Sequence, residues 1–476
     1  MLSKHLLFAS SVASLVQAQE TILGVYIFHR HGDRTTKAYA PTSLTDLGYA
    51  QVASSGSYYR ERYVNGNGST EIYNISPNVV KLSQLSVEAP VDNVLQNSAA
   101  GFLQGLYPPV GASLGSQTLA NGTTVEAPLN GYQLIPINVV SSAASTSNSE
   151  NSAWLQGSSG CNNAVISSNN YFYSEDYMTM LNKTADFYKS ILPVINTTFT
   201  SSTDTFKNAY SIFDYVHVST IHNSSIPSSD LLTDDVLFQL QTLADHHEFN
   251  LAYNSSDTIR AIAGATLAAQ IVEQLNKTIT GKSKQQFGIQ FGAYASFLSF
   301  FGLAQLPAVS ENFTGVVDYA SSMAFELFTT ATVNSSSYPS SDEISVRFLF
   351  ANGTAAETGL NEYPLFGQSS TSVTWPTFVS EMNKFAIGTQ EQWCSSCGNS
   401  TGVCASSAST SSTTSSTPSK PIGGMSRVVA GVIGAMVTLA VILGLEALVM
   451  LLGGLRLVSK KRLSAVPTSS PEAVKA

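Results

Sequence analysis

The apolar run from Ile22 to Phe28 leads without a break into His29-Arg30-His31-Gly32-Asp33-Arg34-Thr35-Thr36-Lys37, and no other stretch limits the possible folds as tightly. A short run that is apolar at every position reads as a strand buried on both faces, which is the pattern of a parallel sheet. In an open α/β sheet the turn beyond the carboxyl end of a strand is where ligands bind, so His31 and its flanking arginines are expected at the mouth of a crevice. The ligand suited to that crevice is an anion.

A neutral, oriented imidazole can attack phosphorus in line when fixed donors neutralise the phosphoryl oxygens. His31 is the candidate nucleophile. Arg30 and Arg34 carry planar forks that match phosphate oxygens, and Gly32 lets the backbone turn closely past the group. Asp33 is expected to orient an arginine. A lone histidine between arginines would ordinarily be an ion-paired surface loop, but the strand context and the intact string Arg30 to Thr35 favour the chemical reading.

That string resembles the signature of the histidine acid phosphatases, the branch of the histidine phosphatase superfamily that includes fungal phytases. Leu44-Thr45-Asp46-Leu47-Gly48-Tyr49-Ala50-Gln51 is similar to the family's first helix, with Thr45 as a plausible N-cap. Ser98-Ala99-Ala100-Gly101-Phe102-Leu103-Gln104-Gly105-Leu106-Tyr107-Pro108-Pro109 is similar to the segment leading out of its second. The likeness spans about Ile22 to Cys404. It implies an α/β fold with an open, mostly parallel sheet flanked by helices and a second, largely helical subdomain (phosphoglycerate mutase-like). It also implies hydrolysis of phosphomonoesters through a phosphohistidine at His31, an acidic optimum and no cofactor.

Three departures from the family pattern bear on activity. The family's third phosphate-binding arginine has no counterpart in Glu88-Ala89-Pro90-Val91-Asp92-Asn93-Val94-Leu95, and its late His-Asp pair is matched by Tyr294 and Ala295 in Phe291-Gly292-Ala293-Tyr294-Ala295-Ser296-Phe297. Loss of a placed general acid costs about 10²–10⁴-fold, and loss of one preorganised donor about 10²–10³-fold. Such losses need not add. Surviving activity should favour substrates whose leaving group departs without a proton. Glu88 and Asp92 are auxiliary candidates for the missing acid, and the phenol of Tyr294 can donate to phosphate without carrying a charge. The run Asp245-His246-His247-Glu248 invites a metal or relocated-acid reading, but adjacent histidines point about 100° apart on a helix. A solvated helix end is the expectation there, and no metal is assigned.

Charged residues make up 12% of the chain, well below the ~25% of ordinary soluble proteins. Asn-x-Ser/Thr sites at Asn67, Asn74, Asn121, Asn182, Asn196, Asn223, Asn254, Asn276, Asn312, Asn334, Asn352 and Asn399 would supply the missing solubility as N-glycans in a secreted chain. Residues 1–18 read as a signal peptide ending at Val16-Gln17-Ala18. Residues 19–404 are the expected ectodomain. A Ser/Thr-rich stalk at 405–427 follows, then a transmembrane helix at 428–455 and a basic tail at 456–476 that places the C-terminus in the cytosol. The expected location is therefore the cell membrane, single-pass, with the ectodomain outside. Glu446, near the cytosolic end of the span, is read as reaching the interface. The net charge of -9 argues against nucleic acid as a partner. Cys161, Cys394, Cys397 and Cys404 all fall on the oxidising side, where they are expected to clamp the C-terminal segment of the domain; three pairings remain open.

Further helical patterns run from Ser174 to Ile191, Leu231 to Phe249 and Asp257 to Ile279. Phe287 to Gly292 and Ser345 to Ala351 read as strands, and Thr374 to Phe385 as a closing helix. Two functional readings follow: a membrane-anchored phosphomonoester hydrolase, or a catalytically degenerate relative that binds a phosphate-bearing ligand or serves as a surface scaffold. The sequence leaves the substrate and the oligomeric state open.

Overall fold

The computed structural model describes residues 19–65, 70–139, 160–334 and 336–405. The expected signal peptide, nearly all of the stalk, the transmembrane helix and the tail lie outside the described residues. Among the described residues no helix is long and apolar enough to cross a membrane.

The N-terminal half of the α/β unit runs β1 (Thr21–Arg30), α1 (Asp46–Tyr59), β2 (Leu85–Ala89) and α2 (Asn93–Leu106). Short pieces follow: α3 (Gly111–Gly115), the hairpin of β3 (Ser116–Thr118) and β4 (Thr124–Glu126), α4 (Pro128–Gly131) and β5 (Asn138–Val139). A helical subdomain is built from α5 (Asn162–Asn170), α6 (Glu175–Lys183), α7 (Ala185–Ile195), α8 (Ala209–His222) and α9 (Asp234–Ala252). The chain returns to the sheet through α10 (Ile262–Gly281), β6 (Phe287–Gly292), α11 (Tyr294–Leu303), β7 (Ser322–Thr329) and β8 (Ile344–Ala351). It closes with α12 (Ala355–Thr358), β9 (Asn361–Glu362), β10 (Ser372–Thr374), α13 (Trp375–Met382) and α14 (Gln390–Cys397).

The main sheet has the order β10-β8-β7-β1-β6-β2-β5, with β9 on β8. One wing, β1-β6-β2-β5, is parallel, as the apolar runs imply, and the functional turn leaves the carboxyl end of β1 where Arg30 pairs with Gly292. The other wing, β7, β8, β9 and β10, is antiparallel. Ser345 and Arg347 of β8 are only partly buried, an alternation unlike the continuous apolar run of a parallel strand.

Alternation along β1 distributes its side chains between two cores. Val25 and Ile27 pack with Val52, Leu95, Ala99 and Phe102 of α1 and α2, whereas Tyr26 and Phe28 pack with Leu267, Phe297 and Phe300 of α10 and α11. A third cluster, including Tyr188, Phe206, Ile212 and Leu240, holds the helical subdomain together. Thr45 caps α1 as expected, its Oγ1 accepting from the Gly48 amide at 3.0 Å. The expected 174–191 helix is two helices, α6 and α7, meeting at Thr184.

The four cysteines pair as Cys161–Cys397 and Cys394–Cys404. Both bridges lie in one buried cluster with Ile262 and Trp393, so they fasten the end of the domain to the start of α5, in keeping with the expected clamp.

Candidate functional site

His31 sits in the turn that β1 delivers past the sheet edge, and Arg30, His31 and Arg34 are all buried. Gly32 permits that path: a Cβ there would run into the backbone of Gly48 in α1, and one at Gly48 would run into the backbone of Asp33. His31 Nδ1 lies 2.8 Å from the Gly32 carbonyl, which makes Nδ1 the protonated nitrogen and leaves the lone pair on Nε2. Burial foremost, then the charges of Arg30, Arg34 and Lys37, hold the imidazole pKa well below its ordinary value against the opposing pull of that carbonyl bond. These effects favour the neutral ring, the state a nucleophile requires.

Both arginines are positioned by distant parts of the chain. Arg34 donates through Nη2 to Asp214 Oδ1 at 2.8 Å and to Tyr210 Oη at 3.2 Å, and through Nη1 to the Thr35 carbonyl. Asp214 also accepts from Thr36 Oγ1 and from the Lys37 amide. Burial alone would raise the Asp214 carboxyl, but Arg34 and these donors bring it below its usual range. Arg30 donates through Nη1 to the Val317 carbonyl. Its guanidinium carbon lies 4.6 Å from the ring centre of Tyr319 and 5.4 Å from that of Tyr294, inside the range of cation–π attraction. Tyr319 thus covers the cradle, with His31 also near its ring. The Nε–H groups of both Arg30 and Arg34 are buried and have no hydrogen-bond partner.

Asp33 departs from its expected role. Its Oδ1 meets Thr45 Oγ1 and, at 2.6 Å, His222 Nε2 at the end of α8, so it ties the turn to α1 and the helical subdomain instead of to an arginine. Both auxiliary carboxylates have other engagements. Asp92 is the N-cap of α2, accepting from the Leu95 amide at 2.9 Å. Glu88 alternates onto the α10 side of β2, in a separate cavity with Glu273, Lys277 and Gln290, where burial raises its pKa.

Tyr294, the first residue of α11, does join the site. Its ring lies between Arg30 and a cavity of about 320 Å³ lined also by Lys37, Glu248, Arg260 and Ser296. Its Oη donates to Glu248 Oε2 at 2.7 Å, and His247 Nδ1 lies 2.8 Å from Glu248 Oε1. The run 245–248 is therefore not a solvated helix end: the last turns of α9 pack against α11, which turns His247 and Glu248 inward, while His246 stays partly exposed on Asp176. Sequence reasoning missed Asp214, Tyr210, Tyr319 and Glu248. Glu248 had a signal, a carboxylate beside histidines, that was assigned to solvent.

Comparison with known proteins agrees with this architecture. The family model described as histidine phosphatase superfamily (branch 2) matches residues 39–351. Among solved structures, the phytase of Hafnia alvei, in complex with tartrate, superposes with a TM-score of 0.52 at 13% identity, covering 80% of this chain and 99% of its own. The phytase of Citrobacter braakii gives 0.51 at 13% identity, over 79% and 99%. That of D. castellii gives 0.50 at 13%, over 82% and 84%. At such identities the likeness speaks for the fold. No curated protein matches the chain.

Proposed function

Because the chain belongs to branch 2 of the histidine phosphatase superfamily, we propose that it hydrolyses phosphomonoesters by transferring the phosphoryl group to His31 Nε2 and then to water. The observation that carries this reading is the pair of buried, unpartnered Nε–H donors on Arg30 and Arg34 beside a neutral, tautomer-fixed His31. A buried donor left without an acceptor costs about 1–3 kcal/mol. A phosphoryl group seated there relieves both donors and meets the nucleophile. Arg30 and Arg34 neutralise its oxygens in the transition state, and Tyr319 gives way as the substrate enters.

The same proposal assigns the chain to the secretory pathway as a glycoprotein of the cell membrane, anchored at 428–455 with residues 19–404 outside. Support comes from two disulfides, which persist on the oxidising side of a membrane. Exposed asparagines at nine of the eleven described Asn-x-Ser/Thr sites also favour it.

The test is phosphate release by the full-length chain and its His31→Ala variant from an aryl phosphate, a sugar phosphate and phytate between acidic and neutral pH. Turnover that vanishes in the variant supports the phosphohistidine. Equal background release from both proteins overturns it and favours the second reading, a phosphate-binding surface protein without turnover. Tyr319 stacked over Arg30 and the absence of an arginine in Glu88–Leu95 give that reading its footing.

A further inference from the structure

We propose that Tyr294, recharged by Glu248, delivers the proton to the leaving alcohol; this rests on the phosphohistidine reading above. The positions on either side, Ala293 and Ala295, have no proton to give. Tyr294 is held where it is needed by three contacts: its hydroxyl on Glu248 Oε2 at 2.7 Å, its ring 4.7 Å from that of Tyr210, and Arg30 on its face. Glu248 is in turn oriented by His247, whose Nδ1 lies 2.8 Å from Oε1. The two residues line one cavity, which is where the alcohol portion of a substrate seated on Arg30 would extend.

A phenol has one proton. At rest that proton is committed to Glu248 Oε2. Once Glu248 takes up a proton, its own O–H donates to Tyr294 Oη and the phenolic hydrogen turns toward the cavity. The His31 Nε2–P bond then forms as the P–O bond to the alcohol breaks. The phenolic proton passes to the leaving oxygen and the Glu248 proton passes to the phenol oxygen, so the step ends with a neutral Tyr294, an ionised Glu248 and a free alcohol. In the second half a water attacks phosphorus, its proton returns through Tyr294 to Glu248, the N–P bond breaks and orthophosphate departs. Burial first, then Glu248, holds the Tyr294 phenol well above its ordinary pKa, which keeps the hydroxyl protonated between turns.

Around Glu248 stand Tyr294 from α11, Tyr210 from α8 and His247 beside it, and Arg260 ahead of α10 and Lys37 beyond β1 line the same cavity. Turnover of substrates whose alcohol must be protonated on departure depends on this relay. Aryl phosphates, whose phenolate leaves unaided, are spared.

The experiment compares kcat/KM for glycerol phosphate and for p-nitrophenyl phosphate in the full-length chain and in its Tyr294→Phe, Glu248→Gln and His31→Ala variants, each over an acid-to-neutral pH series. Tyr294→Phe and Glu248→Gln are expected to lose about 10²–10⁴-fold on glycerol phosphate and much less on the aryl ester. Equal losses on both substrates, or no loss on glycerol phosphate, overturn the relay. So does a native chain that turns over only the aryl ester. Full activity in His31→Ala overturns the phosphohistidine reading itself, a different failure. Glu248→Gln keeps the shape of the side chain and reports even if the phenylalanine variant fails to fold.

Discussion

Asp214, in the middle of α8, holds Arg34 by a 2.8 Å ion pair from which solvent is excluded on both sides. The pair joins the nucleophile turn of the sheet domain to the helical subdomain. Removing the carboxylate strands a buried guanidinium, so Asp214→Ala should lose about 3–5 kcal/mol of stability. Asp214→Asn, which retains an acceptor for Nη2, should lose less. Denaturant midpoints at neutral pH rank the three proteins, and equal midpoints for all would contradict the pairing.

Arg30→Lys tests the second guanidinium. A lysine keeps the charge but has neither the planar fork nor the flat face that stacks on Tyr319. The expected outcome is a fall of about 10²–10³-fold in kcat/KM for an aryl phosphate, with weaker inhibition by orthophosphate. Steady-state kinetics with an inhibitor series measures both.

His29 supplies a pH prediction that does not depend on catalysis. Its ring is wedged between those of Phe102 and Phe291 at 5.3 and 5.1 Å, and burial, opposed by the Arg30 carbonyl, lowers its pKa to about 4. The unfolded imidazole titrates near ~6.5. Between these values the unfolded chain binds a proton that the folded chain refuses, so stability falls as pH drops through that window. The deficit reaches about 3 kcal/mol below it. His31 is shifted in the same direction and adds to the trend. His29→Phe should lose less stability between pH 7 and pH 4 than the native chain, as read by urea unfolding at each pH.

Reduction of the two disulfides should lower stability by about 2–5 kcal/mol. The larger share belongs to Cys161–Cys397, whose separation of 236 residues far exceeds the 10 of Cys394–Cys404. Thermal unfolding with and without a reductant measures the total, and Cys161→Ser with Cys397→Ser isolates the long bridge. Loosening that corner also frees α5, which contributes Ala164, Val165, Ser168 and Asn169 to the wall of the cavity.

What the sequence conveyed was local. The strand at Ile22–Phe28, the Thr45 cap, the strand at Phe287–Gly292 and the position of Tyr294 at its exit were all readable because each is written within a few neighbouring residues. The partners of Arg30 and Arg34 were not, since Asp214, Tyr319 and the Val317 carbonyl reach the site from other elements far along the chain. Glu88 was misplaced for a simpler reason. On β2, Val87 and Ala89 belong to the core under α1 and α2, so alternation sends Glu88 to the opposite face, a consequence the run Leu85–Ala89 already contained.

Where Gly32 crosses Gly48, the nucleophile turn and the first helix meet backbone to backbone, with no side chain between them. Side chains act as springs that absorb small displacements by changing rotamer; here there are none. Any drift of α1 arrives at His31 undamped, and an error of about 1 Å in a reacting group can cost 10²-fold in rate. The positional tolerance of the phosphate-attacking atom is therefore set by how firmly α1 is seated on α2, and heating or pressure that slackens that helix pair would silence the site well before the sheet gives way.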